Sequence, residues 1–222
     1  LFVFSSVYFI YRQRINKLLA VEKVRTKVAR DLHDDMGSVL STINILSTMA
    51  KTKVAEDPVK TSEYIGKISD NSQRMMEAMD DIVWSIKPTN DSMQKITARM
   101  REFATGILEA KEIELDFKVN EKVNDVKLNM EARRDFFLIF KEAVNNVAKY
   151  SCCSKCSIHI TLQQHRLILD VYDNGIGFDV NKADSGNGLS NMQKRAEALK
   201  GRVSIQSKQG EGTQVTLNLP VL

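Results

Sequence analysis

Apolar residues recur at intervals of three and four through the first part of the chain, at Val21, Val24, Val28, Leu32, Met36, Val39, Ile43, Leu46 and Ala50. That spacing draws one seam along a long helix, predicted to run from Arg12 to about Lys51. Glu56-Asp57-Pro58 interrupts it. Pro58 suits the first turn of a new helix and Asp57 its cap. The second helix carries Ile65, Ile68, Ser72, Met75, Met79, Ile82 and Ile86, steps of three and four over three heptads, and ends in Ile86-Lys87-Pro88-Thr89-Asn90. Two such helices joined by a short loop form an antiparallel hairpin. One hairpin leaves its seam uncovered, and pairing two of them into a four-helix bundle covers it, which predicts a homodimer. The methionines along the seam are core filling.

After a hinge at Asn90-Asp91, Ser92 to Lys111 resumes as helix, with Met100, Phe103, Ile107 and Leu108 on one side. The period then changes from helical to alternating. Ile113 to Val119 reads as a strand; Cys156, Ile158, Ile160 and Leu162 mark a second, and Leu167, Leu169 and Val171 a third, with a tight connection at Gln164-His165-Arg166. Glu131 to Lys149 is predicted helical, buried through Phe136, Phe137, Ile139, Phe140, Ala143, Val144 and Val147. Asn187 to Lys200 is a further helix with Gly201 as its C-cap, and Val203 to Ser207 and Val215 to Leu219 are the last strands. The fold class is therefore α+β: a helical hairpin, then one mostly antiparallel sheet with helices on one face.

The first eleven residues, LFVFSSVYFIY, are apolar and aromatic, and Arg12, Arg14 and Lys17 follow them. A span needs about 20 apolar residues. This order fits the cytoplasmic end of a transmembrane helix under the positive-inside rule, so the chain reads as a fragment whose upstream part is missing. The expected domains are 1–11, a remnant of that helix; 12–90, the hairpin; and 91–222, the sheet. A net charge of +4, without a basic stripe interleaved with aromatics, gives no ground for direct nucleic-acid binding. Three cysteines do not make a disulfide framework and fit a reducing cytoplasm. Cys153, Cys156 and His159 have a zinc-like spacing, but Cys156 and His159 point to opposite faces of a strand, so Cys156 reads as a core residue.

The chemistry-bearing residues fall in four places. His33 sits beside the first seam with Asp34 and Asp35 directly after it. A carboxylate next to an imidazole can fix its tautomer and accept its proton, which makes His33 a candidate nucleophile. Glu142, Asn146 and Lys149 are spaced to share one helix face. A carboxylate, an amide oxygen and an ammonium suit Mg²⁺ held on a polyphosphate. Asp173-Asn174-Gly175-Ile176-Gly177 follows a hydrophobic strand; Asp173 can accept from an exocyclic amine, while Gly175 and Gly177 permit close backbone approach. Gly186-Asn187-Gly188-Leu189 opens a helix and exposes N–H groups to phosphate. The polar stretch Val180 to Ser185 between the last two is placed to close over a nucleotide.

In this order the last three motifs resemble the N, G1 and G2 boxes of the GHKL (Bergerat) ATP-binding fold, shared by histidine kinases, gyrase, Hsp90 and MutL. Gly212-Thr213 resembles that family's further glycine-threonine element. A helical hairpin bearing H-D upstream is similar to the two-component histidine kinases, here the nitrate-sensor-like subfamily. The resemblance covers about Glu22 to Leu222. It implies that His33 takes the γ-phosphate of ATP while Asp34 orients the ring and accepts its proton. It also implies that Asn146 and Glu142 hold or support Mg²⁺, that Lys149 contacts phosphate, and that Asp173 reads the adenine. Gly175, Gly177, Gly186, Gly188, Leu189 and Thr213 complete the ATP site. The phosphate would pass to an aspartate of a separate response-regulator receiver, at a bacterial inner membrane with this portion cytoplasmic. Ser38 stands where the subfamily often has a glutamine tied to dephosphorylating the regulator, so weak phosphatase activity is expected. Two alternatives stay open: a degenerate kinase serving as a dimeric nucleotide-binding scaffold, and a GHKL clamp ATPase.

Overall fold

The computed structural model describes residues 8, 11–12, 15, 36–37, 39–180 and 187–221. His33, Asp34, Ser38 and Gly186, together with most of 1–35, lie outside them. The chain divides into two compact units, Leu1–Ile86 and Lys87–Leu222.

The first unit is a helical hairpin. Helix α1 (39–53) is followed by a turn and by α2 (Pro58–Ile86). Asp57 caps α2 as its residue type dictates: the Lys60 N–H donates to Asp57 Oδ1 at 3.0 Å, and Pro58 occupies the first helical position. The hydroxyls of Ser41 and Thr48 fold back onto carbonyls one turn earlier, which keeps these polar side chains compatible with a helix. On α1 the covered stripe is Val39, Ile43, Leu46 and Ala50, with Met36 ahead of it in the same phase, as the spacing predicts. On α2 it is Thr61, Tyr64, Ile68, Ser72, Met75, Met79 and Ile82. Ile65, expected in that seam, is exposed; heptad phase places Thr61 and Tyr64 there instead. Among the described residues no helix is long and apolar enough to cross a membrane.

The second unit is a sheet covered on one face by helices. Its elements are α3 (Met93–Glu109), β1 (Glu114–Val119), α4 (Met130–Asn146), β2 (Lys155–Gln163), β3 (Arg166–Asp173), α5 (Asn187–Ala198), β4 (Arg202–Ser207) and β5 (Thr213–Pro220). The strand order is β1-β2-β3-β5-β4, with β1 parallel to β2 and every other neighbouring pair antiparallel. Alternation sets the two faces. Phe117, Cys156, Ile158, Ile160, Leu167, Leu169, Val171, Val203, Val215, Leu217 and Leu219 point inward and are buried. Asp116, His159, Asp170, Thr216 and Asn218 hold the alternate positions. There Asp170 accepts from the Thr216 hydroxyl at 2.5 Å, and His159 Nε2 lies 3.6 Å from Asp116. Cys156 and His159 are thus on opposite faces, and among the described residues no group of His, Cys, Asp and Glu is arranged to hold a metal ion.

The helical layer packs on the inward face. Met93, Ile96, Met100, Ala104 and Leu108 of α3 are fully buried. Phe103 meets Phe137 and Phe140 edge-on, each at 6.1 Å between ring centroids. Arg133, at the start of α4, is buried and pairs with Asp91, just before α3. The β2–β3 hairpin turns through Gln164 and His165, both with positive φ, as a two-residue loop matched to strand twist requires. Gly201 closes α5 by donating its N–H to the Ala196 carbonyl at 2.8 Å, though it is not itself the left-handed residue. The helix ends at Ala198 and Lys200 takes the left-handed conformation (φ 56°). Gly201 is needed for room: a Cβ there would lie 2.3 Å from Leu219 Cδ2 and 2.7 Å from the Asn218 oxygen.

Candidate functional site

A cavity of about 520 Å³ opens between α4, the start of α5 and the ends of β4 and β5. Its volume falls in the range of small-molecule sites. Glu142 and Asn146 reach it from α4, one turn apart, and Gly188 and Leu189 reach it from the first turn of α5. Gly177 and Thr213 enter from the segments after β3 and at the start of β5. Residues from four stretches of sequence, more than seventy positions apart at the extremes, therefore line one cavity. The rest of its lining is largely apolar, including Ala143, Val147, Ile176, Ile205 and Val215.

Asp173 and Gly175 do not line the cavity; Asp173, 3% exposed at the end of β3, is the strand partner of Thr213, which does. Asp173 Oδ1 accepts the Gly175 N–H at 2.9 Å. Burial pushes its carboxyl above the usual carboxylate range, and the N–H groups of Gly175 and Thr213 oppose that rise. Two glycines let the backbone close around it. A Cβ on Gly175 would fall 2.1 Å from the Ser151 carbonyl oxygen, and one on Gly212 (φ 78°) would fall 2.0 Å from the Asp173 carbonyl oxygen. At the other end of the cavity, Gly188 stands against Glu142: a Cβ there would lie 2.1 Å from Glu142 Oε1. The first turn of a helix attracts negative charge, and in this chain a carboxylate is the group beside it.

The shared face predicted for Glu142, Asn146 and Lys149 is broken after Asn146. The α-helix stops there, and Val147–Ser151 winds as a π-helical turn before Cys152 reverses the chain with φ 50°. A wider turn shifts the azimuth of each later residue. Val147, Tyr150 and Ser151 line the cavity, whereas Lys149 is exposed and does not.

Three contributors carry roles that the sequence motifs do not assign. Ser151 supplies the carbonyl that accepts the Ile176 N–H at 2.8 Å and so anchors the loop after β3. Ser207 ties that loop to the β4–β5 hairpin: its Oγ accepts the Phe178 N–H at 2.9 Å, donates to the Gly212 carbonyl at 3.0 Å and lies 2.9 Å from Thr213 Oγ1. Asn174 fixes the start of β2 by accepting from the Ser154 and Lys155 N–H groups. Lone serines carry no spacing signal; only the Asn174 position, beside Gly175, was flagged by a motif.

Residues 131–222 match the family described as histidine kinase-, DNA gyrase B-, and HSP90-like ATPase, and residues 24–91 match a family described as histidine kinase. Among curated proteins, the sensor histidine kinase LiaS of Bacillus subtilis is 23% identical over 206 residues, 92% of this chain and 56% of that protein. The sensor histidine kinase DesK of the same organism is 27% identical over 209 residues, 94% and 54% respectively. The chain thus spans about half the length of these relatives. The fold is shared with the Acinetobacter baumannii histidine kinase AdeS (TM-score 0.59, 14% identity, 82% of this chain and 96% of that one). It is shared too with the Erythrobacter litoralis EL346 blue-light activated histidine kinase (TM-score 0.56, 14% identity, 87% and 60%). With its helical part matched by a histidine kinase family, its sheet-bearing part by the wider ATPase family that includes histidine kinases, and sensor histidine kinases as relatives over nine-tenths of its length, the comparisons support a two-component sensor histidine kinase.

Proposed function

We propose that the chain is the cytoplasmic, dimeric core of a membrane sensor kinase that phosphorylates itself on His33 from ATP and passes the phosphate to a response-regulator aspartate. In this reading 12–90 is the dimerisation and phosphotransfer hairpin, 91–222 binds the nucleotide, and 1–11 is the end of a membrane helix. The observation that carries it is the cavity where Glu142 and Asn146 meet Gly188 and Leu189, with Thr213, the strand partner of Asp173, in its wall.

The residues divide the work by chemistry. Asp173, whose carboxylate accepts from the Gly175 and Thr213 N–H groups, offers its remaining lone pairs to the adenine amine. The apolar walls, Ala143, Val147 and Ile176 among them, cover the base. The N–H groups at the start of α5, with Gly186 just before them, receive phosphate oxygens. Asn146 and Glu142 offer hard oxygen donors one turn apart, a set that fits Mg²⁺ with several waters retained. Bound there, Mg²⁺ would neutralise charge on the phosphates. Lys149 enters as a cation on the turn that borders the cavity. At the reacting end, the His33 imidazole attacks the γ-phosphorus, a nitrogen–phosphorus bond forms, and the bond to the β-bridging oxygen breaks with ADP leaving. Asp34 takes the ring proton, a contribution on the order of 10² to 10⁴ in rate. Positioning and charge neutralisation supply the rest. Ser38, shorter than a glutamine, places a hydrolytic water poorly, so phosphatase activity toward the regulator is weak.

The test is incubation with γ-labelled ATP and Mg²⁺, comparing the chain with its His33→Gln variant. Alkali-stable, acid-labile label that disappears in the variant is the expected result. Nucleotide binding without label in either protein would replace this reading with a dimeric scaffold. Equal phosphate release by both would replace it with a clamp ATPase.

A further inference from the structure

The stripe of α4 that carries Glu142 and Asn146 continues backwards through Ile139 to Asp135, in steps of four and three. On α5, Gly188, Met192 and Arg195 form a stripe with the same steps. The two stripes meet at two rungs. At one, Arg195 Nη1 donates to Asp135 Oδ1 at 2.9 Å, with side-chain exposures of 36% and 19%. At the other, Gly188 is backed by the Glu142 carboxylate. Both helices separate their rungs by seven residues, about 10.5 Å of rise. The numbering runs in opposite senses, so the helices are antiparallel there. Ile139 and Met192, both buried, lie between the rungs.

Apolar contacts define this register poorly. Methionine adapts its shape to whatever faces it, and Ala196, fully buried on the same helix, offers only a methyl group. A slide of one turn, about 5.4 Å, would keep an apolar face inward but carry Gly188 off Glu142. The ion pair has one geometry. Arg195 sits about 10.5 Å along the axis from Gly188 with its guanidinium engaged by Asp135, so it acts on the first turn through the helix.

We infer that the Asp135–Arg195 pair fixes the register of α5 on α4, holding the first turn of α5 against Glu142 so that both meet the ATP polyphosphate. This rests on the function proposed above. Arg195 and Asp135 are positioning residues: a half-exposed pair adds little to overall stability, so its loss acts on placement more than on folding.

The experiment uses the whole chain with Arg195→Met, Asp135→Asn and the exchange Asp135→Arg with Arg195→Asp. Amide hydrogen exchange of Gly188 to Asn191, without nucleotide, is expected to rise about tenfold in each single variant and to return toward wild type in the exchanged pair. With Mg²⁺, the single variants are expected to keep ADP affinity within about threefold and to lose about tenfold or more in the maximal rate of His33 labelling. The exchanged pair is expected to recover most of that rate. Unchanged hydrogen exchange in the single variants, an exchanged pair no better than they are, or equal losses of ADP and ATP affinity would each overturn the inference. A wild-type chain that neither binds ADP nor labels His33 would overturn the proposed function instead, and the hydrogen exchange alone would then decide the register.

Discussion

Asp173 is held by Gly175: the carboxylate accepts the N–H two residues on at 2.9 Å, and a Cβ on that glycine would press to 2.8 Å from the same oxygen. Burial raises the carboxyl above its ordinary range. A group raised by folding contributes stability that is fully present below its unfolded pKa, about 3.9 for Asp, and lost as pH rises through the folded value. At neutral pH the charge on Asp173 is therefore a cost to the fold. Asp173→Asn keeps an acceptor for Gly175 and removes that charge. It is expected to melt at or above the wild-type temperature at pH 7, the gap closing as pH falls through the raised folded value and gone below about 4. ATP affinity should fall about tenfold or more with the loss of a charged hydrogen bond. Calorimetry and nucleotide titration across pH read both. A lower Tm at pH 7 with unchanged affinity would contradict the assignment.

Gly188→Ala tests the other end of the cavity. The added methyl meets Glu142 Oε1, so the carboxylate must swing away or the first turn of α5 must open. ATP-dependent labelling of His33 is expected to drop at least about tenfold, as misplacement of reacting groups does. Gly210→Ala is the control: its φ of 82° is strained for alanine, but no atom lies within 4 Å of the new methyl. That variant should lose a little stability and keep its labelling rate.

Dimer formation should depend on one flank of α2. Ile65, Met76 and Val83 are 56%, 54% and 49% exposed and recur on one side of the helix, an apolar strip that a solvated helix would not carry. Ile65→Glu combined with Met76→Glu is expected to convert dimer to monomer in sedimentation equilibrium. Val59→Glu, at a position 80% exposed and off that flank, should leave the dimer intact. A double variant that stays dimeric would move the interface elsewhere.

The three thiols should react in order. Cys152 is exposed, Cys153 half-buried and Cys156 fully buried. Burial, then the Asp173 carboxylate among other groups, pushes Cys153 up; burial, then Cys153 and Asp173, pushes Cys156 up to about 12. Thiolate is the reactive form. At pH 8 an alkylating reagent is expected to modify Cys152 first and Cys153 slowly. Cys156, opposite Asp173 in the β2–β3 ladder, should react only on unfolding. Rapid modification of Cys156 in the native protein would contradict its placement in the core.

The sheet was legible because alternation is local: Cys156, Ile158 and Ile160 declare their face in sequence, as do Leu167, Leu169 and Val171. The register of the hairpin seam was legible on α1 and less so on α2, where Ile65 attracts the eye but Thr61 and Tyr64 hold the covered phase. Glycine motifs pointed to Gly177 and Gly188 without saying what crowds them. That crowding comes from Lys208 in one case and Glu142 in the other, both remote in sequence. The π-helical turn after Asn146 had no signature, so Lys149 was placed on a face it does not share. Ser151 and Ser207 act through backbone partners that become neighbours only when the sheet closes.

The strand order β3-β5-β4 places the last strand of the sheet between two earlier ones. During synthesis β4 leaves the ribosome with no strand of this sheet to pair with and must wait for β5. A stop codon after Gly212 would therefore remove an interior strand and orphan the edge beside it, exposing two unpaired backbone ladders rather than trimming a tail. Thr213–Pro220 is thus the keystone of the sheet: without it β3 and β4 share no partner, and the open edges they present favour aggregation over folding.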